Sequence, residues 1–263
     1  MSSYVITGAA RGIGLEFVSQ LSVDSSNSIF ALVRSKSGAT ALQNLQRQNI
    51  TVLEADITDV EALKVAANIV SEATGGKLDY LINNAAIHDH SKTTLDKFPT
   101  EDALDQDLLE NFRVNTLGTI HTTNTFLPLL RAGTTKKAIT ISTGGADPDF
   151  NAKTGSAGQV GYMISKAALN MAVAKFAAAL KREGFVFLSI SPGLVDTATT
   201  ERTAQESAEY KAFTQALAKI ASPNFSGPLT PQESVKMMLE VIYRWTVEET
   251  GAFVSHYGNK EWL

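Results

Sequence analysis

The feature that most constrains this chain is a set of short, near-continuous apolar runs separated by longer segments of helical period. The runs cover residues 4–7, 29–33, 51–55, 78–82, 138–142, 185–191 and 252–255. A strand with one wet face alternates polar and apolar side chains, and these runs do not alternate. Strands covered on both faces of a parallel sheet read this way. Between the runs, apolar residues recur at helical spacing. Ile13, Phe17, Val18 and Leu21 form one stripe, Ala41, Leu42 and Leu45 a second, and Val60, Leu63, Ala67 and Val70 a third. The pattern predicts a long helix over about 102–130, with Pro128 near its end, and another over about 158–183. Thr230-Pro231-Gln232-Glu233 supplies an N-cap, a proline at the first helical position and an acid in the first turn of a helix ending near Trp245.

Strands alternating with helices predict an α/β protein with a doubly wound, parallel, seven-stranded sheet and helices on both faces. A chain of 263 residues is long enough for one large core. No repeat, low-complexity tract or linker divides it, so residues 1–263 read as a single domain. The long irregular stretch 193–229, with a helical piece at 200–221, reads as an insertion that binds substrate. A net charge of −4 gives no reason to expect a nucleic-acid partner. Without cysteine there is neither a disulfide nor a thiolate metal site. The first strand begins near residue 4, which predicts no leader peptide. The most apolar helix is interrupted by Asn170 and Lys175, so no membrane span is expected. Soluble and cytoplasmic is the expectation.

Thr7-Gly8-Ala9-Ala10-Arg11-Gly12-Ile13-Gly14 follows the first strand and opens the first helix. Glycines at such a joint permit a tight turn and let backbone N–H groups approach a pyrophosphate. The helix N-terminus adds a favourable dipole. The second strand ends in Val33-Arg34-Ser35-Lys36. An acid here would take a ribose 2′-hydroxyl and select NAD, but none lies between Phe30 and Thr40. Arg34, with Arg11 in reach, can instead pair a 2′-phosphate, which favours NADP(H). Asp56 can accept from an adenine amino group or cap the next helix, as can Thr58 or Asp59. Asn83, in Asn83-Asn84-Ala85-Ala86, can lie by a ribose or tie neighbouring strands together.

Tyr162 and Lys166 stand four residues apart, one helical turn, and so share a face. A phenol has an ordinary pKa of ~10, and a nearby ammonium lowers it toward working pH. Ser142, at the end of the fifth apolar run, can hold a carbonyl oxygen against that phenol.

Together these motifs resemble the short-chain dehydrogenase/reductases, a Rossmann-fold family. The match comprises Thr7-Gly8…Gly12-Ile13-Gly14, Asp56-Ile57, Asn83-Asn84-Ala85-Ala86, Asn115, Ser142, Tyr162…Lys166 and Pro192-Gly193 with Val195 and Thr197. It runs in order over almost the whole chain. The ending Gly251 to Gly258 with Trp262 is similar to the carbonyl-reductase and C-factor-like branch. The resemblance implies catalysis by Asn115, Ser142, Tyr162 and Lys166. Tyr162 would protonate a carbonyl oxygen, Lys166 would lower the phenol's pKa and bond the nicotinamide ribose, and Ser142 would orient the carbonyl. Asn115 would hold a water in a proton relay. Gly8, Gly12, Ile13 and Gly14 would cradle the pyrophosphate, and Arg11 and Arg34 would take the 2′-phosphate. Asp56 and Ile57 would contact adenine, Asn83 the adenosine ribose, and Pro192, Val195 and Thr197 the nicotinamide. A homodimer or homotetramer is implied by analogy. Ala86 departs from the family's usual glycine.

His88-Asp89-His90 reads as a substrate contact or plain surface rather than a metal site, and His121 as packing or solvent-facing. Gly144-Gly145-Ala146 reads as space for a broad substrate or as a flexible loop. Phe150, Tyr210, Phe213 and Phe225 read as pocket lining or loop packing. The expected activity is NADPH-dependent reduction of a small ketone or aldehyde. Alternatives are double-bond reduction, epimerisation or cyclisation on the same framework, or a non-enzymatic dinucleotide sensor.

Overall fold

The computed structural model describes the chain apart from residues 89–92, 199–202, 219–224 and 226. Its strands are β1 (Ser3–Thr7), β2 (Ser28–Val33), β3 (Ile50–Glu54), β4 (Tyr80–Asn83), β5 (Lys137–Ile141), β6 (Val186–Ser191) and β7 (Ala252–Ser255). All pair in parallel, in the order β3-β2-β1-β4-β5-β6-β7. The order reverses between β1 and β4, so a crevice opens at their carboxyl ends, where open α/β sheets bind ligands.

The inner strands feed two cores. Tyr4 and Ile6, Ile29, Ala31 and Val33, and Val186, Leu188 and Ile190 point to one face. Val5, Phe30 and Leu32, and Phe185 and Phe187 point to the other. In the inner strands burial on both sides is why the runs are mostly apolar, whereas the edge strand β3 exposes Thr51 and Glu54.

The helices are α1 (Gly12–Leu21), α2 (Thr40–Gln43), α3 (Val60–Thr74), α4 (Glu101–Asn111), α5 (Thr119–Ala132), α6 (Pro148–Thr154), α7 (Val160–Leu180), α8 (Ala204–Ala218) and α9 (Pro231–Arg244). The stripes predicted for α1 and α3 face the core through Phe17, Val18 and Leu21 and through Leu63, Ala67 and Val70. Thr230 caps α9 in a complete capping box with Glu233. The expected single helix over 102–130 is α4 and α5 joined by a π-helical segment, Phe112–Gly118. Such single wide turns occur often at functional sites. No apolar stripe announced α6, a short helix capped by Asp147.

By length and composition, the helix Val160–Glu183 is apolar enough to cross a membrane. In this fold one side of it covers β6, burying Leu169, Val173 and Ala177, and it also packs on α4. Its other side carries exposed Ile164 and Met171, and α4 and the π-helical segment carry exposed Leu109 and Phe112.

At the opposite end of the sheet, buried Lys137 donates to the carbonyls of Ile242, Tyr243 and Trp245 at 2.7, 3.1 and 2.7 Å. One cation thus closes the carboxyl end of α9, where the dipole favours positive charge.

Candidate active site

β1 turns into α1 through Gly8, whose φ of 66° suits glycine. A Cβ on Gly8 would lie 2.8 Å from Ala85 Cα, and one on Gly14 would lie 2.3 Å from the Gly8 carbonyl oxygen. The glycines therefore let three segments of backbone touch. Thr7 Oγ1 accepts the N–H groups of Asn84 and Ala85, both at 3.0 Å. Asn84 Nδ2 donates to the carbonyls of Thr7 and Gly8 at 3.0 and 3.2 Å. The ends of β1 and β4 form one rigid joint at the switch point. The sequence does not distinguish Asn84, whose neighbour Asn83 is the residue expected by the ribose or between the strands. Asn83 instead donates to Thr123 Oγ1 of α5 at 3.1 Å, and its buried Oδ1 has no partner. Ala86 is exposed, so its methyl group is absorbed without crowding.

Arg11, the N-cap of α1, supplies no side-chain bond to the first turn. Those N–H groups face the loop and suit an anion. Thr197 faces them, with its Cβ and Cγ2 each 3.6 Å from where a Cβ on Gly12 would lie. A cradle that a Cβ would fill, an uncapped helix start and a facing threonine fit a dinucleotide's pyrophosphate. Ile13 packs partly against the core behind them.

Arg11 and Arg34 are exposed at the carboxyl edge. Beside Arg34, Ser35 and Ser37 pair their hydroxyls at 2.8 Å, and Glu54 accepts the Lys36 N–H at 2.9 Å. Asp56 Oδ1 accepts both the N–H and the hydroxyl of Thr58 at 2.8 Å. The cap of α3 is Asp59, which accepts from Glu61 and Ala62 at 3.0 Å. Ile57 is buried against Gly118, where an added Cβ would meet it at 3.0 Å.

Ser142, Tyr162 and Lys166 gather at the end of β5. Ser142 follows that strand and donates its N–H to Ile190 at 2.8 Å. Its Oγ is buried and has no partner. Tyr162 lies in the first turn of α7. One turn on, Lys166 Nζ sits 5.9 Å from the phenol ring centre and donates to the Ile141 carbonyl, next to Ser142, at 2.8 Å. Burial pushes the Lys166 ammonium down to about 8 and the Tyr162 phenol up to about 12. In the protein alone, burial governs the phenol, and the ammonium held on Ile141 does not offset it. The exposed His88 ring lies tilted against the Tyr162 ring, with centres 4.3 Å apart. Asp89 and His90 fall outside the described residues, and His121 is solvent-facing on α5.

Asn115 sits in the π-helical segment and is fully buried. Its Oδ1 accepts the Ile87 N–H at 2.9 Å, and its Nδ2 faces Ile87 O, Asn111 Oδ1 and Ser165 Oγ at 3.1, 3.3 and 3.0 Å. Its amide thus clasps the loop after β4 to α7.

The Gly144-Gly145 segment provides neither open space nor slack. A Cβ on Gly144 would lie 2.6 Å from Trp262 Cβ, and one on Gly145 would lie 2.3 Å from Met163 Sδ. The C-terminal tail therefore presses this loop onto α7. Trp262 stacks on Phe253 at 4.4 Å, and Lys260 sits over both rings. Nothing in the sequence indicated that residues more than a hundred apart would meet here.

Beyond β6, Pro192 accepts from Ser234 Oγ at 2.7 Å, and Val195 bridges to Leu229. Phe225 lines a small cavity with Leu194, Leu229, His256 and Tyr257. Phe150 is part of α6, Tyr210 part of α8, and the Phe213 side chain lies outside the described residues.

Residues 3–208 match the family model for short chain dehydrogenases. The chain is 44% identical over 278 residues to the short chain dehydrogenase virK of Hypocrea virens, covering 100% of both. It is 43% identical over 270 residues to the short-chain dehydrogenase/reductase atnB of an Arthrinium species, again covering 100% of both. Among solved structures, the NADPH-bound carbonyl reductase from chicken fatty liver is 27% identical, with a TM-score of 0.78 over 98% of each chain. With its fold, its glycine joint and its Ser142, Tyr162 and Lys166 grouping, this chain belongs to the short chain dehydrogenase family.

Proposed function

We propose that the protein is an NADP(H)-dependent reductase of a ketone or aldehyde on a small organic molecule. One observation carries the reading. The buried Ser142 hydroxyl lacks a partner at the strand end where Tyr162 and Lys166 gather. A buried hydroxyl left unpaired costs ~1–3 kcal/mol, which a substrate oxygen would recover.

A nicotinamide dinucleotide supplies the hydride when bound. The Gly8–Gly14 joint would hold its pyrophosphate, and Pro192, Val195 and Thr197 would border the nicotinamide, Thr197 from its place facing Gly12. Arg11 and Arg34 would pair the 2′-phosphate, while Asp56, Ile57 and Asn83 would flank the adenosine. The exposed arginines and the NADPH carried by the chicken carbonyl reductase support NADP(H) over NAD(H). Ser142 Oγ donates to the carbonyl oxygen and holds it at the phenol. Tyr162 gives its proton to that oxygen as negative charge gathers there. A phenol with a pKa of about 12 is protonated at neutral pH, so the acid is present when required. An alkoxide is a stronger base than this phenolate, so the transfer runs downhill. Lys166 holds positive charge beside the ring as the phenolate forms. Asn115 keeps the β4 loop against α7 and holds the water of a proton relay.

Exposed Leu109, Phe112, Ile164 and Met171 support a homodimer or homotetramer through α4 and α7. The cytoplasm is the proposed location.

The test is turnover of a carbonyl panel with deuterated NADPH. Label on the carbinol carbon, lost in Tyr162→Phe, is the expected result. Near-normal turnover by Tyr162→Phe would refute the assignment. Label on an alkene carbon would move the reaction to double-bond reduction.

A further inference from the structure

We infer that Asp107 is a positioning residue for Tyr162, acting from α4 through the start of the helix that carries the phenol. The inference rests on the proposed role of Tyr162 as the acid.

Among the long helices, α3, α4 and α9 are capped by their own side chains, from Asp59, Thr100 and Thr230. The helix α7 is not. Its N-cap, Gln159, has a φ of 57° and makes no side-chain cap bond. The missing acceptor comes from another helix: Asp107 Oδ2 takes the Gly161 N–H at 2.9 Å. Gly161 has no Cβ because the carboxylate occupies that place. An added Cβ would lie 2.5 Å from Asp107 Oδ2 and 2.7 Å from Asn111 Nδ2. The residue after this clasp is Tyr162.

The other carboxylate oxygen starts a chain of bonds that returns to the same tyrosine. Asp107 Oδ1 accepts from Asn111 Nδ2 at 3.2 Å. Asn111 Oδ1 accepts from Asn115 Nδ2 at 3.3 Å, and the same amide donates to Ser165 Oγ at 3.0 Å. Ser165 Oγ–H then donates to the Tyr162 carbonyl at 2.8 Å. The backbone of Tyr162 is held on both sides: the preceding N–H by Asp107 directly, its own carbonyl by Ser165. Both holds trace to α4 and the π-helical segment, the same element that clasps Ile87 beside His88.

Only a group with two acceptor atoms serves this place. Asparagine at 107 would turn an NH₂ toward either the Gly161 N–H or Asn111 Nδ2, donor against donor. Rotating the Asn111 amide does not relieve this, because its Oδ1 is engaged by Asn115 and its Nδ2 also donates to the Asp107 carbonyl at 3.0 Å. A phenol displaced by a fraction of an ångström from its acceptor loses rate steeply.

The experiment compares wild type, Asp107→Asn, Asp107→Ala, Tyr162→Phe and the double variant Asp107→Ala/Tyr162→Phe. NADPH binding, read by fluorescence, counts folded sites, and kcat is expressed per site. Each single Asp107 variant is expected to lose roughly ten- to a hundredfold in kcat per site, with KM for NADPH within about twofold. Asn is expected to fare no better than Ala, and Asp107→Ala to cost nothing further once Tyr162 is phenylalanine. Unchanged kcat per site in Asp107→Ala would overturn the inference. So would an Asp107→Asn variant with wild-type kcat, or an additive loss in the double variant. A fully active Tyr162→Phe would instead overturn the reading of Tyr162 as the acid.

Discussion

Lys166 is a buried charge kept in a place that does not favour it, and this has a measurable consequence. Its side chain is 3% exposed, and burial lowers its pKa from 10.5 to about 8. Between those values the unfolded chain binds more protons than the folded one, so stability rises with pH across the window. The slope approaches ~1.4 kcal/mol per pH unit, and between pH 8 and pH 10 the gain is on the order of 2–3 kcal/mol. Below pH 8 the ammonium is charged in both states and the cost of burying it is borne in full. Lys166→Met removes the charge and therefore the rise. Lys137 is also lowered by burial, and its contribution has the same sign, so the wild-type curve alone is insufficient. Tyr4, Tyr80 and Tyr162, each raised by desolvation above its ordinary pKa of 10, work in the opposite sense only at the top of the range. The quantity to measure is the difference between wild type and Lys166→Met in urea unfolding at pH 7, 8, 9 and 10, without cofactor. Lys166→Met is expected to be relatively most stable at pH 7, with its advantage shrinking by ~2–3 kcal/mol by pH 10. A difference flat within about 0.5 kcal/mol would show that the site does not depress the ammonium, and the argument would fail.

Ser142→Ala removes a hydroxyl that bonds nothing in the protein, so the melting temperature is expected to hold or rise. Its kcat is expected to fall by roughly 10²–10³, as for loss of a donor to a developing alkoxide, and an unchanged kcat would exclude that role. Arg34→Asp places a carboxylate where a 2′-phosphate is proposed to bind. Titration is expected to show NADPH weakened about ten- to a hundredfold with NADH nearly unaffected, and an unchanged ratio of the two would remove Arg34 from the cofactor site.

Much of this protein is legible in its sequence because the relevant physics is local. Near-continuous apolar runs encode the inner strands buried on both faces, and Phe17, Val18 and Leu21 encode the covered side of α1. Glycines between strand and helix encode a turn that bulkier residues cannot make. Four-residue spacing puts Tyr162 and Lys166 on one face of α7 whatever surrounds them.

What the sequence could not contain is which distant groups would meet. Position 84 outweighs position 83 at the switch point because the chain returns there beside Thr7. Gly144 and Gly145 read as substrate space or slack until Trp262 is laid against the first and Met163 against the second. Nothing in the sequence sets Asp107 apart, and it gains its partner only where α4 and α7 meet at Gly161. Even the influence expected of Lys166 on its phenol was decided by tertiary structure. Spacing along a helix sets the distance between two charges, whereas burial by the rest of the chain sets the dielectric in which they interact.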